Sequence, residues 1–259
     1  MNARVPLVSR PYGGESVPAK LFPIQPSRQG FRRFLFLMCF AGLLFGAPRA
    51  EATVHVDYEL YHPCCNNDSL WGTHASIKTP SSAISLPADE CISFLSDAEG
   101  HRSGEPIFSR LISTGFLRCG NDTNVAGTCA TVNKQIQFVV IIDALGYHCY
   151  SEGAIGASIN AKYGVRRASG TSNWSAWIDG VQDTHVVTFG NTDFLYEGME
   201  YRGLCGDSVN VPAVTFGTTT VWQRLNENGW VTVNSSYTTG DLCGYTLNGG
   251  PSGQWSITR

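Results

Sequence analysis

His148, Cys149, Ser151 and Glu152 lie within five positions of one another in the stretch GYHCYSEGAIG, residues 146–156. Each side chain can do chemistry: an imidazole as base, a thiol or hydroxyl as nucleophile, a carboxylate as acid or base. Spacing decides which of them can cooperate. Read as a strand, residues 147–152 alternate, so Tyr147, Cys149 and Ser151 share one face while His148, Tyr150 and Glu152 share the other. Cys149 and Ser151 are then out of reach of His148 as a nucleophile–base pair, and Cys149 reads as half of a disulfide. The opposite face keeps a carboxylate beside an imidazole and a phenol, which suits proton transfer or ligand binding. The alternative reading of those three residues is a solvated polar strand face.

Other polar pairs were weighed in the same way. Asp57 and Glu59, with His55, alternate along VHVDYELY (54–61). Residues i and i+2 of a strand stand about 6.5–7 Å apart, a separation that can flank a glycosidic bond; the alternative is the wet face of an N-terminal strand. Glu197 and Glu200 in YEGMEY are three apart and point to opposite faces, so they form no pair. Trp174 and Trp177 also fall on opposite faces, one for the core and one exposed, which makes Trp177 a candidate binding platform. The chain has no phosphate-cradling glycine loop, no G-x-S-x-G and no metal-ligand spacing, so neither cofactor nor metal is expected.

The elements that must position these residues are strands. Period-two or apolar runs occur at 54–61, 72–79, 107–117, 136–143, 154–165, 172–178, 184–189, 213–225, 230–236 and 254–258. Asp179-Gly180 and Asn228-Gly229 are dipeptides that accept the positive φ angles of tight hairpins. Residues 85–100 have room for one short helical turn, and 99–106, 120–129 and 236–253 have loop composition. Many short strands with regular turns predict an all-β fold, an antiparallel β-sandwich or jelly roll, in one domain over residues 53–259.

Residues 1–52 read as an N-terminal extension and a cleaved signal peptide. Arg32 and Arg33 precede the apolar run Phe34–Phe45, and Ala50-Glu51-Ala52 is a small-residue cleavage signal. The apolar run is too short for a stable membrane span, and "RRFLF" also resembles a twin-arginine signal. Export predicts a secreted or periplasmic protein cleaved after Ala52, with no stable membrane insertion afterwards. Of 18 Lys/Arg and 21 Asp/Glu, seven and two lie in the leader, leaving 11 and 19 and a mature net charge of −8. That charge opposes nucleic-acid binding. Nine cysteines become eight when Cys39 leaves with the apolar run: Cys64, Cys65, Cys91, Cys119, Cys129, Cys149, Cys205 and Cys243. An even number in an exported chain predicts a disulfide framework rather than a zinc site, with the pairing open.

GTHASIKTPSS (72–82), CISFLSDAEG (91–100), RLISTGF (110–116) and YHCYSEG (147–153) occur in an order and spacing that resembles the glutamic peptidases and their secreted bacterial relatives. The resemblance implies a concanavalin-like jelly roll. It also implies an acid endopeptidase in which Glu152 of YSEG is the glutamate and Ser113 of Ser-Thr-Gly stands where the family has its catalytic glutamine. Serine lacks the combined donor and acceptor reach of an amide, and Gln135 and Gln137 are nearby candidates to substitute. WSAWIDG (174–180) resembles a strand of non-peptidase relatives. The function expected is binding of an extracellular polymer, glycan or peptide, on a concave face through His148, Tyr150 and Trp177, with no catalysis confirmed by the sequence. The alternatives are a glutamic-type peptidase using Glu152, a glycoside hydrolase, and a structural or surface-interaction domain.

Overall fold

The computed structural model describes residues 52–61, 70–120, 134–203, 209–223, 230–232, 237–239 and 244–259. All regular structure in them is strand, and every pairing is antiparallel. Sheet I runs β14 (Tyr237–Thr239), β1 (Ala52–Tyr61), β10 (Asn191–Gly203), β3 (Cys91–His101), β4 (Arg110–Cys119), β5 (Gln135–Asp143) and β6 (Gly146–Ala154). Sheet II runs β15 (Thr246–Asn248), β16 (Trp255–Thr258), β11 (Val214–Phe216), β2 (Leu70–Lys78), β7 (Asn160–Arg167), β8 (Asn173–Ile178) and β9 (Val181–Thr188). β12 (Thr220–Gln223) also pairs with β2, and β13 (Trp230–Thr232) pairs with β12. The expected all-β sandwich of jelly-roll type is thus the fold.

The inward faces interdigitate as alternation requires. Sheet I contributes Phe94, Phe116, Val139, Ile141 and Met199; sheet II contributes Ala75, Ile77, Tyr163, Val165 and Trp174, all nearly or fully buried. Phe94 stacks on Phe116, Trp174 on Phe189, and Phe216 on Trp255. The outward face of sheet I carries a second apolar cluster, with Leu95, Leu111, Phe138, Val140 and Tyr196. Strands buried on both faces explain the unbroken apolar run IQFVVIID.

A disulfide joins Cys91 to Cys119, which face each other across β3 and β4. Cys149 is disulfide-bonded too, with a partner outside the described residues. Cys64, Cys65, Cys129, Cys205 and Cys243 also lie outside them.

Several local expectations are corrected. The short helical turn expected in 85–100 is absent: Ser85 bridges Asn210, and Cys91–His101 is strand. The strand expected over 107–117 begins only at Arg110, because Phe108 has φ 58° and its N–H donates to Asp193. The strand expected over 154–165 is two, since the chain leaves sheet I after Ala154 and enters sheet II at Asn160. Ser158, at φ 58°, turns this crossing. The run 213–225 divides into β11 and β12 around Gly217, and the loop expected from residue 99 starts after His101. The Asp179-Gly180 hairpin is present, with φ 50° and 81°, and joins β8 to β9. Asn228-Gly229 lies outside the described residues.

Candidate functional site

Ser113 and Glu152 are not brought together. Ile112 and Thr114 face the sandwich interior, so Ser113 between them faces outward, where it is 3 % exposed and opposite Asp97 of β3. Glu152 is two strands away on β6 and points elsewhere. The ladder between β5 and β6 slips between Phe138↔Ser151 and Gln137↔Gly153, leaving Glu152 as the extra residue of a bulge, followed by Gly153 at φ 111°. Gln137 has the inward parity of Val139 and Ile141, and its amide donates to Tyr163 Oη at 3.0 Å. Gln137 therefore shares a face with Tyr150, and Gln135 has the same parity on β5.

Among the described residues, β6 ends the strand order of sheet I and β9 that of sheet II. The two meet on one flank of the sandwich. Tyr150 stacks on His185 of β9 with ring centroids 3.5 Å apart. Asp183 Oδ1 sits 2.7 Å from His185 Nδ1 and accepts the His185 backbone N–H at 2.7 Å. Donor atoms of Glu152, Asp183 and His185 all lie within 4.8 Å of one another. Desolvation and then the Asp183 charge push the Glu152 pKa up, while His185 pulls it down. His148, expected beside Glu152, turns to Asp143 instead, with Nε2 3.6 Å from Oδ1.

Trp177 occupies a different surface. Trp174 is fully buried, and Trp177 takes the outward face of sheet II, half-buried, with the Arg166 guanidinium 5.6 Å from its ring centroid. Gly164 separates Trp177 from His74 in the cross-strand register. Trp230 then packs on the His74 ring at 4.3 Å. No side chain fits at Gly164 or Gly72: a Cβ would fall 2.6 Å from His74 Cβ or from the Val165 carbonyl oxygen. Bare backbone therefore floors the space between the two aromatic groups. Burial pushes the His74 pKa down, and its ring contacts Thr220 Oγ1 at 3.1 Å. The charged residues at outward positions of β2, β7 and β8 are Lys78, Lys162 and Arg166, all cations.

A third polar feature escaped sequence reasoning. Glu197 of β10 points inward and is fully buried between the sheets. Thr73 Oγ1 of β2 donates to its Oε1 at 2.8 Å, and Ser96 Oγ of β3 lies 2.7 Å from its Oε2. Burial drives its pKa up to about 8 against the pull of those two hydroxyls. The His55, Asp57 and Glu59 side chains lie outside the description.

No family model matches this chain, and no curated protein is significantly similar to it. Among solved structures, SCP-B, a member of the Eqolisin family of peptidases in complex with the tripeptide Ala-Ile-His, is 13 % identical, covering 80 % of this chain and 98 % of its own, with a TM-score of 0.46. Porphyranase B from Zobellia galactanivorans is 11 % identical, covering 83 % and 79 %, with a TM-score of 0.31. The glutamic-peptidase resemblance is thus a weak one, and the two-sheet architecture stands on this chain's own strand pairing.

Proposed function

We propose that this is an exported, disulfide-stapled binding protein that takes an acidic glycan across the outward face of sheet II. The observation that carries the reading is the row Trp177, Arg166, Gly164, His74 and Trp230, where aromatic groups flank a backbone floor and the fixed charges are cations. Indole faces pack against the C–H faces of sugar rings, and guanidinium and ammonium groups bind carboxylate or sulfate. This face is positive in a chain whose expected mature charge is negative, so the charge is segregated rather than diffuse.

Affinity electrophoresis against sulfated, uronate-rich and neutral polysaccharides tests the reading. Acidic polymers are expected to retard the protein, with retardation falling as salt rises. Trp177→Ala is expected to weaken binding about tenfold or more, as loss of a central aromatic anchor does, with Arg166→Ala intermediate. Equal migration on all three polymers, or an unchanged Trp177→Ala, overturns it. Acid proteolysis that disappears in Glu152→Gln replaces it with the endopeptidase reading.

A further inference from the structure

The flank where β6 and β9 meet does not belong to the glycan face. It gathers two carboxylates and an imidazole from strands of different sheets. Glu152 is swung toward β9 by the bulge, Asp183 and His185 share the inward parity of Val187, and the Tyr150 ring holds the imidazole flat against it. Neither Glu152 nor Asp183 has a Lys or Arg ion pair among the described residues, so two like charges face each other across the gap. Repulsion of that kind is relieved by a cation placed between them.

We infer that Glu152, Asp183 and His185 form a three-ligand site for a divalent transition cation, open to water on its outer side. Metal–ligand bonds of about 2.0–2.2 Å place neighbouring donors roughly 3.4 Å apart. The three donors now lie within 4.8 Å of one another, so the group must draw in by about an ångström on binding. Glu152 is exposed and the other two half-buried, which leaves room for water in the remaining positions. One imidazole with two carboxylates suits zinc or manganese; calcium takes six to eight oxygen ligands, more than this group offers. Bound there, the ion clips β6 of sheet I to β9 of sheet II.

Untagged, disulfide-intact protein stripped with chelator provides the test, since bonded cysteines then offer no thiolate. Calorimetric titration with ZnCl2 is expected to show one ion per chain, and saturation is expected to raise the unfolding temperature. Glu152→Gln and His185→Ala are each expected to weaken binding at least tenfold. CaCl2 is expected to bind at least tenfold more weakly than zinc. Cobalt(II) added to the wild type is expected to broaden the ring resonances of His185, a readout that needs no variant. Absence of zinc binding, zinc affinity unchanged in both variants, calcium binding as tight as zinc and indifferent to His185→Ala, or unbroadened His185 resonances would each overturn the site.

Discussion

Stability is expected to fall as pH rises from 5 to 8, and Glu197→Gln is expected to abolish most of that slope. Ser96 has one hydroxyl hydrogen but two acceptors in reach, Glu197 Oε2 at 2.7 Å and the Tyr163 carbonyl at 3.1 Å. Ser96 donates to Glu197 over the shorter contact, as Thr73 does to the other oxygen. Those hydroxyls pull the Glu197 pKa down, but complete burial outweighs them and raises it to about 8, so the buried acid holds its proton at neutral pH. The sign follows from proton counting. The folded pKa lies above the unfolded one, so the stabilisation is complete below about pH 4.5 and is lost as pH rises through about 8. The gap between 4.5 and about 8, at about 1.4 kcal/mol per unit, is on the order of 5 kcal/mol. Glutamine keeps the shape, accepts from Thr73 and donates to Ser96 at any pH. Urea unfolding at pH 5 and pH 8 measures both slopes; a flat wild-type profile, or an equally steep one in Glu197→Gln, refutes the protonated state.

Removing the Cys91–Cys119 bridge is the second large effect. The two cysteines are 28 residues apart in sequence and directly opposed in register, so the bond closes β3 onto β4 at the end of their shared ladder. Releasing a loop of that length from its cross-link is worth about 3–4 kcal/mol in unfolded-state chain entropy. Cys91→Ala with Cys119→Ala is therefore expected to lose that much in denaturant unfolding under oxidising conditions. Ile92 and Leu117 beside the bridge are buried and keep the strands paired, so the fold persists. A double variant within about 1 kcal/mol of wild type would show that the bridge constrains nothing.

Many of the strands and the Asp179-Gly180 turn were legible because alternation and positive-φ dipeptides are local signals, whereas the central strands β3 and β10 were not among the runs read. So was the opposition of Trp174 and Trp177, which needs only period two. What was not legible depends on strands distant in sequence. Glu197 was read only as pointing away from Glu200; that it is the inward one follows from β10 lying between β1 and β3, where inward side chains have no water to reach. Glu152 was singled out, yet its partners Asp183 and His185 come from the opposite sheet, and the bulge that aims it is set by pairing with β5. His74 and Trp230 meet through β2, β12 and β13, a contact no spacing rule contains. Ser113 was matched by motif, and its outward direction follows from buried neighbours that a motif does not include.

The bulge at Glu152 also affects how copies of the chain meet. β6 ends a seven-stranded sheet, and among the described residues one side of its backbone ladder has no neighbouring strand. Such an edge invites a strand of another molecule to add on, the route by which β proteins form fibres. The slip between Gln137 and Phe138 breaks the regular repeat that an incoming strand must match, and Gly153 at φ 111° bends the backbone away. The exposed Glu152 adds a charge where a second copy would bring another. The irregularity that aims a carboxylate at β9 thereby also makes this edge a poor template for an added strand.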